Sequence, residues 1–271
     1  MIGIIGQGFV GNAIYQKFKS YFDVYTYDLD KNKRTSSETE TMSQDIVFVC
    51  LPTPMSSDGS CSTELVEWTI DKICKIKKCK TIVVKSTISP GTTARWNSNY
   101  DIDIIFNPEF LTEANAVEDF NNQNRIILGG PRPSTTKLRR IYSKVFPKAH
   151  IIKTDSTHAE MVKYLTNSFL ATKVSFANEI YQVCEKLNID YDKVVEYATL
   201  DDRLGKSHWN VPGPDGDFGF GGHCLPKDLS ALIYLAMNLD TETNVLNSVQ
   251  ETNDVVRKNR DWEKMKGRAV V

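Results

Sequence analysis

The chain opens Met1-Ile-Gly-Ile-Ile-Gly6-Gln-Gly8-Phe9-Val10-Gly11-Asn-Ala-Ile14, and this stretch decides the fold. Ile2 to Ile5 is a short apolar run of strand character that leads directly into glycines at 6, 8 and 11. An amphipathic stretch from Ala13 to Phe18 follows, with helical period. A second apolar run, Val24-Tyr-Thr-Tyr27, ends at Asp28. Strand, glycine turn, helix, strand and acid in this order form the fingerprint of a dinucleotide-binding βαβ unit. Gly6 makes the turn, Gly8 lets a pyrophosphate approach the backbone, and Gly11 lets the helix pack on the strand. Asp28 would take the ribose hydroxyls, favouring NAD over NADP because a carboxylate repels a 2′-phosphate. A glycine fingerprint by itself is weak evidence; its placement after a strand and before a helix gives it force.

Outward from this unit the first half keeps alternating. A polar stretch from Lys31 to Gln44 precedes the strand Asp45-Ile-Val-Phe-Val-Cys-Leu51, which Pro52-Thr53-Pro54 ends. Asp58-Gly59 marks a turn, and Ser62 or Thr63 is placed to cap a helix carrying Leu65, Trp68, Ile70 and Ile73. Strands at Thr81–Val84, Ile102–Phe106 and Arg125–Leu128 follow, with a helix around Leu138 to Phe146. Polar groups recur just after strand ends, where an open α/β sheet binds ligands. The second half is helical. Thr157-His-Ala-Glu160 reads as a capping box opening a helix to about Leu187, with further helices at Asp192–Ala198 and Leu229–Asn238 and a polar amphipathic stretch from Thr243 to Met265. The expected fold is therefore α/β: a Rossmann-type parallel sheet over residues 1–154, then an all-helical domain over 155–271.

Phe218-Gly-Phe-Gly-Gly-His-Cys-Leu-Pro-Lys-Asp228 carries the chemistry of that second half. Three glycines let the backbone approach a bulky ligand, and Pro226 suits a first helical turn. Cys224 would feel the positive end of the helix and ionise more readily, as a cysteine nucleophile must. On these residues alone, a glycine-rich loop with an inert buried thiol fits equally well.

Composition bounds the function class. A chain of 271 residues with formal net charge −1 argues against nucleic acid or an anionic membrane as main partner. No apolar run is long enough to span a bilayer, and the N-terminus enters a strand rather than a signal peptide, so a cytoplasmic protein is expected. Six cysteines, at 50, 61, 74, 79, 184 and 224, form no CxxC pair and no zinc spacing, so reduced thiols and no metal are expected.

Taken together the motifs resemble the UDP-glucose/GDP-mannose dehydrogenase family. They are Gly6-x-Gly8-x-x-Gly11, Leu51-Pro-Thr-Pro54, Lys85-Ser-Thr87 with Pro90-Gly-Thr92, and Asn107-Pro-Glu-Phe-Leu-Thr-Glu113. Glu160-x-x-Lys163-x-x-x-Asn167, Asp202-Arg-Leu-Gly205 and Gly219-Phe-Gly-Gly-His-Cys-Leu-Pro-Lys-Asp228 follow in the family's order. The resemblance implies NAD-dependent four-electron oxidation of the C6 alcohol of a nucleotide sugar to a carboxylate, such as UDP-glucose to UDP-glucuronate. The aldehyde stage must be trapped, and a cysteine does this as a thiohemiacetal that oxidises to a thioester. Cys224 is then the nucleophile. Lys163 and Asn167, four apart on a helix, supply oxyanion donors. Glu109 becomes the base for thioester hydrolysis, with Thr87 and Asp228 holding the water. The resemblance also implies cofactor contacts at Phe9, Val10, Lys31, Pro52, Thr53, Thr87, Glu113 and Lys227. Substrate contacts are implied at Phe110, Leu111, Phe218, Gly219 and Gly221, and at Arg203, sent across a dimer interface to the sugar site.

Each residue has a plainer alternative: Glu109 as a loop acid, Thr87 as a strand-end cap, Asp228 as a helix-start charge, Arg203 as a surface ion pair. Two departures from the family pattern matter. Only 17 positions separate Asp28 from Asp45, too few for the helix and strand that relatives insert there, so the sheet should lack an edge strand. The family's third, nucleotide-binding domain has no counterpart beyond Gly267-Arg-Ala-Val-Val271, which looks like its first strand; a fragment, a short form, or completion by another chain all remain open. Rival functions are a 3-hydroxyacid dehydrogenase of the 6-phosphogluconate type, which needs no cysteine, and a non-catalytic NAD-binding remnant. Among sugars the order of expectation is UDP-glucose, GDP-mannose, then UDP-N-acetylhexosamines. A homodimer through the helical domain is expected from apolar residues spaced between Leu232 and Val256.

Overall fold

The central apolar runs of the first half become neighbouring strands because they are buried on both faces, which selects continuous rather than alternating hydrophobicity. In a computed structural model describing residues 1–271, the chain orders as β1 (Ile2–Ile5), α1 (Phe9–Phe18), β2 (Val24–Tyr27), α2 (Glu38–Met42), β3 (Ile46–Val49), α3 (Glu64–Ile76), β4 (Thr81–Val84), α4 (Thr92–Asn99), β5 (Asp103–Phe106), α5 (Ala116–Asn122), β6 (Arg125–Gly129), α6 (Arg132–Val145) and β7 (His150–Thr154). Helices α7 (Ser156–Leu187), α8 (Tyr191–Ala198), α9 (Leu225–Asn238) and α10 (Asn244–Val256) follow. Two compact units result: Met1–Thr53 with Thr63–Lys163, and Pro54–Ser62 with Tyr164–Val271. The dividing point in the second half falls at Lys163, inside α7, rather than ahead of that helix.

The first unit is a seven-stranded sheet in the order β2-β1-β3-β4-β5-β6-β7. β2 is an edge strand, as the short Asp28–Asp45 interval requires. That interval holds a 3₁₀ turn at Lys31–Lys33 and the five-residue α2 in place of a loop. Ser37 caps α2 by accepting from the Glu40 amide at 3.2 Å. The same interval closes the sheet edge. The Thr26 amide donates to Thr35 Oγ1 at 3.0 Å, and the Thr26 carbonyl accepts from the amides of Thr35 at 3.1 Å and Ser36 at 3.2 Å. An edge whose polar groups are satisfied this way is a poor template for another strand.

The sheet is parallel as expected at every pairing but one. β5 and β6 are antiparallel and meet at one pair, Phe106 with Gly129. β7, absent from the sequence reading, pairs parallel with β6 over five residues. Its residues are mostly exposed, so it lacks the unbroken apolar signal of the central strands. The two faces of the sheet bury separate clusters. Ile4, Phe18, Phe48, Leu138 and Tyr142 lie in one, and Val47, Val49, Ile70, Trp96 and Phe106 in the other.

Two helix starts also differ from expectation. Thr63 makes no side-chain cap at α3. At α7 Asp155, not Thr157, accepts from the His158 amide at 3.0 Å. Glu160, read as the partner in a capping box, is wholly buried and serves a different helix. Its carboxylate accepts from the amides of Gly91 at 2.6 Å and Thr93 at 2.9 Å, capping α4, which has no side-chain cap of its own.

The second unit packs α7 beyond Lys163, α8, α9 and α10 around small apolar clusters. Ala171, Phe220, Leu229 and Val249 form one, and Ala177, Cys184, Tyr191 and Val211 another. Val249 and Leu246 of the amphipathic C-terminal stretch are thus used inside this unit. The Pro54–Ser62 segment joins it as a tight hairpin: Met55 bridges Cys61 and Val270, and Ser230 Oγ donates to the Gly59 carbonyl at 3.2 Å. Residues 269–271 form isolated bridges, Val270 with Met55 and with Lys266, not an extended strand. No helix is long and apolar enough to cross a membrane.

Candidate active site

In the first unit the candidate residues gather at the carboxyl ends of the parallel strands. Gly6 follows β1 with φ +87°, a conformation that favours glycine. A Cβ on Gly11 would stand 1.8 Å from the Gly6 carbonyl oxygen, so α1 can start this close to β1 only with glycine there. Above Gly8 nothing lies within 4 Å of a would-be Cβ, leaving the first turn of α1 open to a ligand. Phe9 and Val10 form that first turn. The Asp28 carboxylate is held at this turn, accepting from the Gln7 amide at 2.6 Å and the Asp30 amide at 2.9 Å. A helix N-terminus with clear space above Gly8, beside a fixed carboxylate, suits the pyrophosphate and ribose of a dinucleotide. The residues therefore fit NAD. Gly11→Ala should cost about 1–3 kcal/mol through overpacking and weaken NAD binding, read by thermal melting with and without NAD.

The loops after β3 and β4 are stitched together. Ser86 Oγ accepts from the Leu51 amide at 3.0 Å, and Thr53 Oγ1 donates to the Thr87 carbonyl at 2.7 Å. Pro52 and Lys31 are exposed, as is Glu113. After β5, Glu109 is bound on both sides. Lys163 Nζ donates to its Oε1 at 2.8 Å and to its carbonyl oxygen at 2.7 Å, and the Leu111 amide donates to Oε2 at 2.7 Å. Burial pushes the Glu109 carboxyl up, but the Lys163 charge and hydrogen bond, with the Leu111 amide and Lys85, hold it below its ordinary value. The Phe110 ring lies 5.6 Å from Lys163 Nζ.

Lys85 completes this cluster, and the sequence reading gave it no role. Its side chain is buried, with Nζ donating to Asn107 Oδ1 at 3.2 Å and the Pro108 carbonyl at 3.3 Å. Burial pushes the ammonium down to about 8, while the Cys50 and Glu109 charges act the other way and Lys163 adds to the depression. The pH consequence has a definite sign. Between about 8 and the ordinary lysine value of 10.5 the folded chain binds fewer protons at Lys85 than the unfolded chain. Stability from this group is therefore gained as pH rises through that window. Melting curves of wild type and Lys85→Met across it should show the wild type gaining relative to the variant.

In the second unit Cys224 occupies the N-cap of α9, with Pro226 in the first turn. Asp228, one turn on, is 1 % exposed and bound on both oxygens: Asn167 Nδ2 donates to Oδ2 at 2.6 Å and Lys227 Nζ to Oδ1 at 2.5 Å. Burial opposes the Lys227 charge, but Asp228, with Cys61 and Cys224 nearby, raises its proton affinity above that of an ordinary lysine. Lys227 is thus engaged with Asp228 and buried. The glycine loop before Cys224 is tied to α10. Asn253 Oδ1 accepts from the Phe220 amide at 2.7 Å, and a Cβ on Gly219, φ +67°, would stand 2.3 Å from that oxygen. The Gly222 amide donates to Asp261, which pairs with the buried guanidinium of Arg257 at 3.2 Å. A Cβ on Gly221 would meet Arg257 Nη2 at 2.3 Å. Phe218 is exposed, its ring edge-on to Tyr181. Arg203 projects to solvent and pairs with Asp201 at 2.5 Å. All six cysteines are free thiols.

Residues 30–146 match the NAD binding domain of the UDP-glucose/GDP-mannose dehydrogenase family, and residues 157–255 match that family's central domain. The chain belongs to this family. A UDP-glucose 6-dehydrogenase of Rickettsia prowazekii is 36 % identical over 217 residues, covering 77 % of this chain and 49 % of that protein. The UDP-glucose 6-dehydrogenase YwqF of Bacillus subtilis is 34 % identical over 238 residues, covering 84 % and 53 %. The chain thus spans about half the length of the curated relatives it matches. A solved UDP-glucose dehydrogenase from Pyrobaculum islandicum superposes with TM-score 0.84 at 29 % identity, over 94 % of this chain and 68 % of that one. A UDP-D-ManNAc dehydrogenase from Pyrococcus horikoshii, at TM-score 0.80 and 22 % identity, shares the fold.

Proposed function

We propose that the chain carries the NAD-binding and catalytic parts of a nucleotide-sugar 6-dehydrogenase, oxidising a C6 alcohol to a carboxylate in two NAD-dependent steps. One observation supports this above the others: a cysteine at the N-cap of α9, followed one turn later by a buried carboxylate fixed by Asn167 and Lys227. Bound NAD would accept a hydride in each of the two oxidations. The Cys224 thiolate, favoured by the helix N-terminus, adds to the aldehyde carbon and gives a thiohemiacetal whose oxidation leaves a thioester. Lys163 and Asn167 donate to the oxyanions of that path. Glu109, kept ionised by Lys163, takes the proton of the hydrolytic water, with Thr87 and Asp228 orienting it. Expulsion of the Cys224 thiolate then releases the acid.

UDP-glucose is the preferred substrate in this reading, since the relatives at 34–36 % identity carry that activity in their names. Incubation with NAD and UDP-glucose, GDP-mannose or a UDP-N-acetylhexosamine, followed by product analysis, tests it. Formation of UDP-glucuronate ahead of the other acids is expected; preferential oxidation of another sugar would reassign the substrate. Oxidation that survives Cys224→Ala would point instead to a cysteine-independent hydroxyacid dehydrogenase.

The same reading includes a homodimer and a cytoplasmic location. Along α7, Leu165, Phe169, Phe176, Val183 and Leu187 are all more than half exposed and recur at helical spacing, an apolar stripe that a second copy would cover. Arg203 would then be free to reach the partner's sugar site. Sedimentation at micromolar concentration should give a dimer that Phe169→Asp dissociates, and a monomer-sized wild type would refute the pairing.

A further inference from the structure

Lys85 follows β4 with its ammonium inside the protein, and both acceptors of its hydrogen bonds belong to the segment that carries Glu109. Asn107 Oδ1 and the Pro108 carbonyl accept its hydrogen bonds, and they belong to the two residues immediately before Glu109. The Asn107 side chain is fixed further: its Oδ1 accepts from Tyr142 of α6 at 2.5 Å, and its Nδ2 donates to the Ile127 carbonyl at 2.8 Å. The Asn107 amide also donates to the Val84 carbonyl at 2.9 Å. Charged and titratable groups around the ammonium come from several elements: Cys50 after β3, Glu109 after β5 and Lys163 from α7. The buried set thus holds one carboxylate and two ammonium groups.

The geometry points to Lys85 as a positioning residue for Glu109, anchoring the Asn107–Pro108 segment and adding a second positive charge that keeps the carboxylate ionised. This rests on the reading of Glu109 as the base for hydrolysis. A base held by one ammonium loses its charge compensation whenever that ammonium turns to an oxyanion. With Lys163 assigned that second task, Lys85 is the cation that stays with Glu109. A methylene stem of the same length without the charge would keep much of the packing and lose this compensation. Arginine would retain a permanent charge and the donors.

The test compares wild type with Lys85→Met and Lys85→Arg, each checked for NAD binding. Carboxyl carbon shifts of glutamate-labelled protein, with Glu109 assigned by Glu109→Gln, follow its ionisation without substrate. Lys85→Met should raise the Glu109 pKa by about one unit or more, while Lys85→Arg leaves it near wild type. Unchanged titration in Lys85→Met overturns the proposal. In turnover, Lys85→Met should lower kcat roughly 30-fold with KM for NAD little altered, and Lys85→Arg should recover most of it. The alkaline limb of the kcat profile, set near 8 by Lys85, should move upward in Lys85→Arg; a limb that stays put would count against the role even if Lys85→Met fails to fold. Should the wild type oxidise no nucleotide sugar, the functional reading fails while the carboxyl titration still decides the part played by Lys85.

Discussion

Cys224→Ser is expected to abolish steady-state oxidation, by on the order of 10⁴-fold or more, because the covalent stage has no substitute on the chain. Serine keeps the size of the side chain and the N-cap position. Its hydroxyl ionises far less readily than a thiol, so the helix N-terminus cannot rescue the nucleophile. NAD binding should be nearly unchanged, since the glycine turn and Asp28 lie at the other end of the chain and keep their own contacts. The expected outcome in a stopped assay is loss of turnover with an unaltered NAD-dependent rise in melting temperature. Equal loss of both would mean that the substitution had damaged the fold.

Lys227→Met should produce the largest loss of stability among the site substitutions. Lys227 and Asp228 are 6 % and 1 % exposed at their side chains, so neither partner can turn to water when the other is removed. Breaking a buried pair by deleting one member costs roughly 3–5 kcal/mol, because an uncompensated charge remains. Asn167 still donates to Asp228, which places the loss toward the lower end of that range. Urea unfolding of Lys227→Met, Asp228→Asn and the double variant would measure it. The double variant should be less destabilised than the sum of the two single changes, since it leaves no lone charge.

The parts legible in the sequence were those fixed by local chemistry. Gly6 and Gly11 announced a strand–turn–helix because glycine alone meets the positive φ at the first and the 1.8 Å approach at the second, while Gly8 leaves the turn open. The edge position of β2 followed from counting residues between Asp28 and Asp45. Features set by distant partners were not legible. Glu160 looked like half of a capping box, yet it caps a helix 67 residues earlier in the chain. Nothing local distinguishes a carboxylate serving its own helix from one serving another. Lys85 lies in a motif in which only Thr87 carried an expected role, and only burial turns the Lys85 charge into part of the Glu109 cluster. The pairing of Asn167 with Asp228 spans 61 positions and gives no periodic signal. β7 escaped because an exposed edge strand has no continuous apolar run to read.

The central claim is a two-step oxidation with the sugar held on Cys224 between steps. Counting NADH against sugar acid in a single reaction tests it most directly. Two NADH per acid, with no free aldehyde at any time, is the predicted result. One NADH per product with an aldehyde accumulating in solution would contradict it.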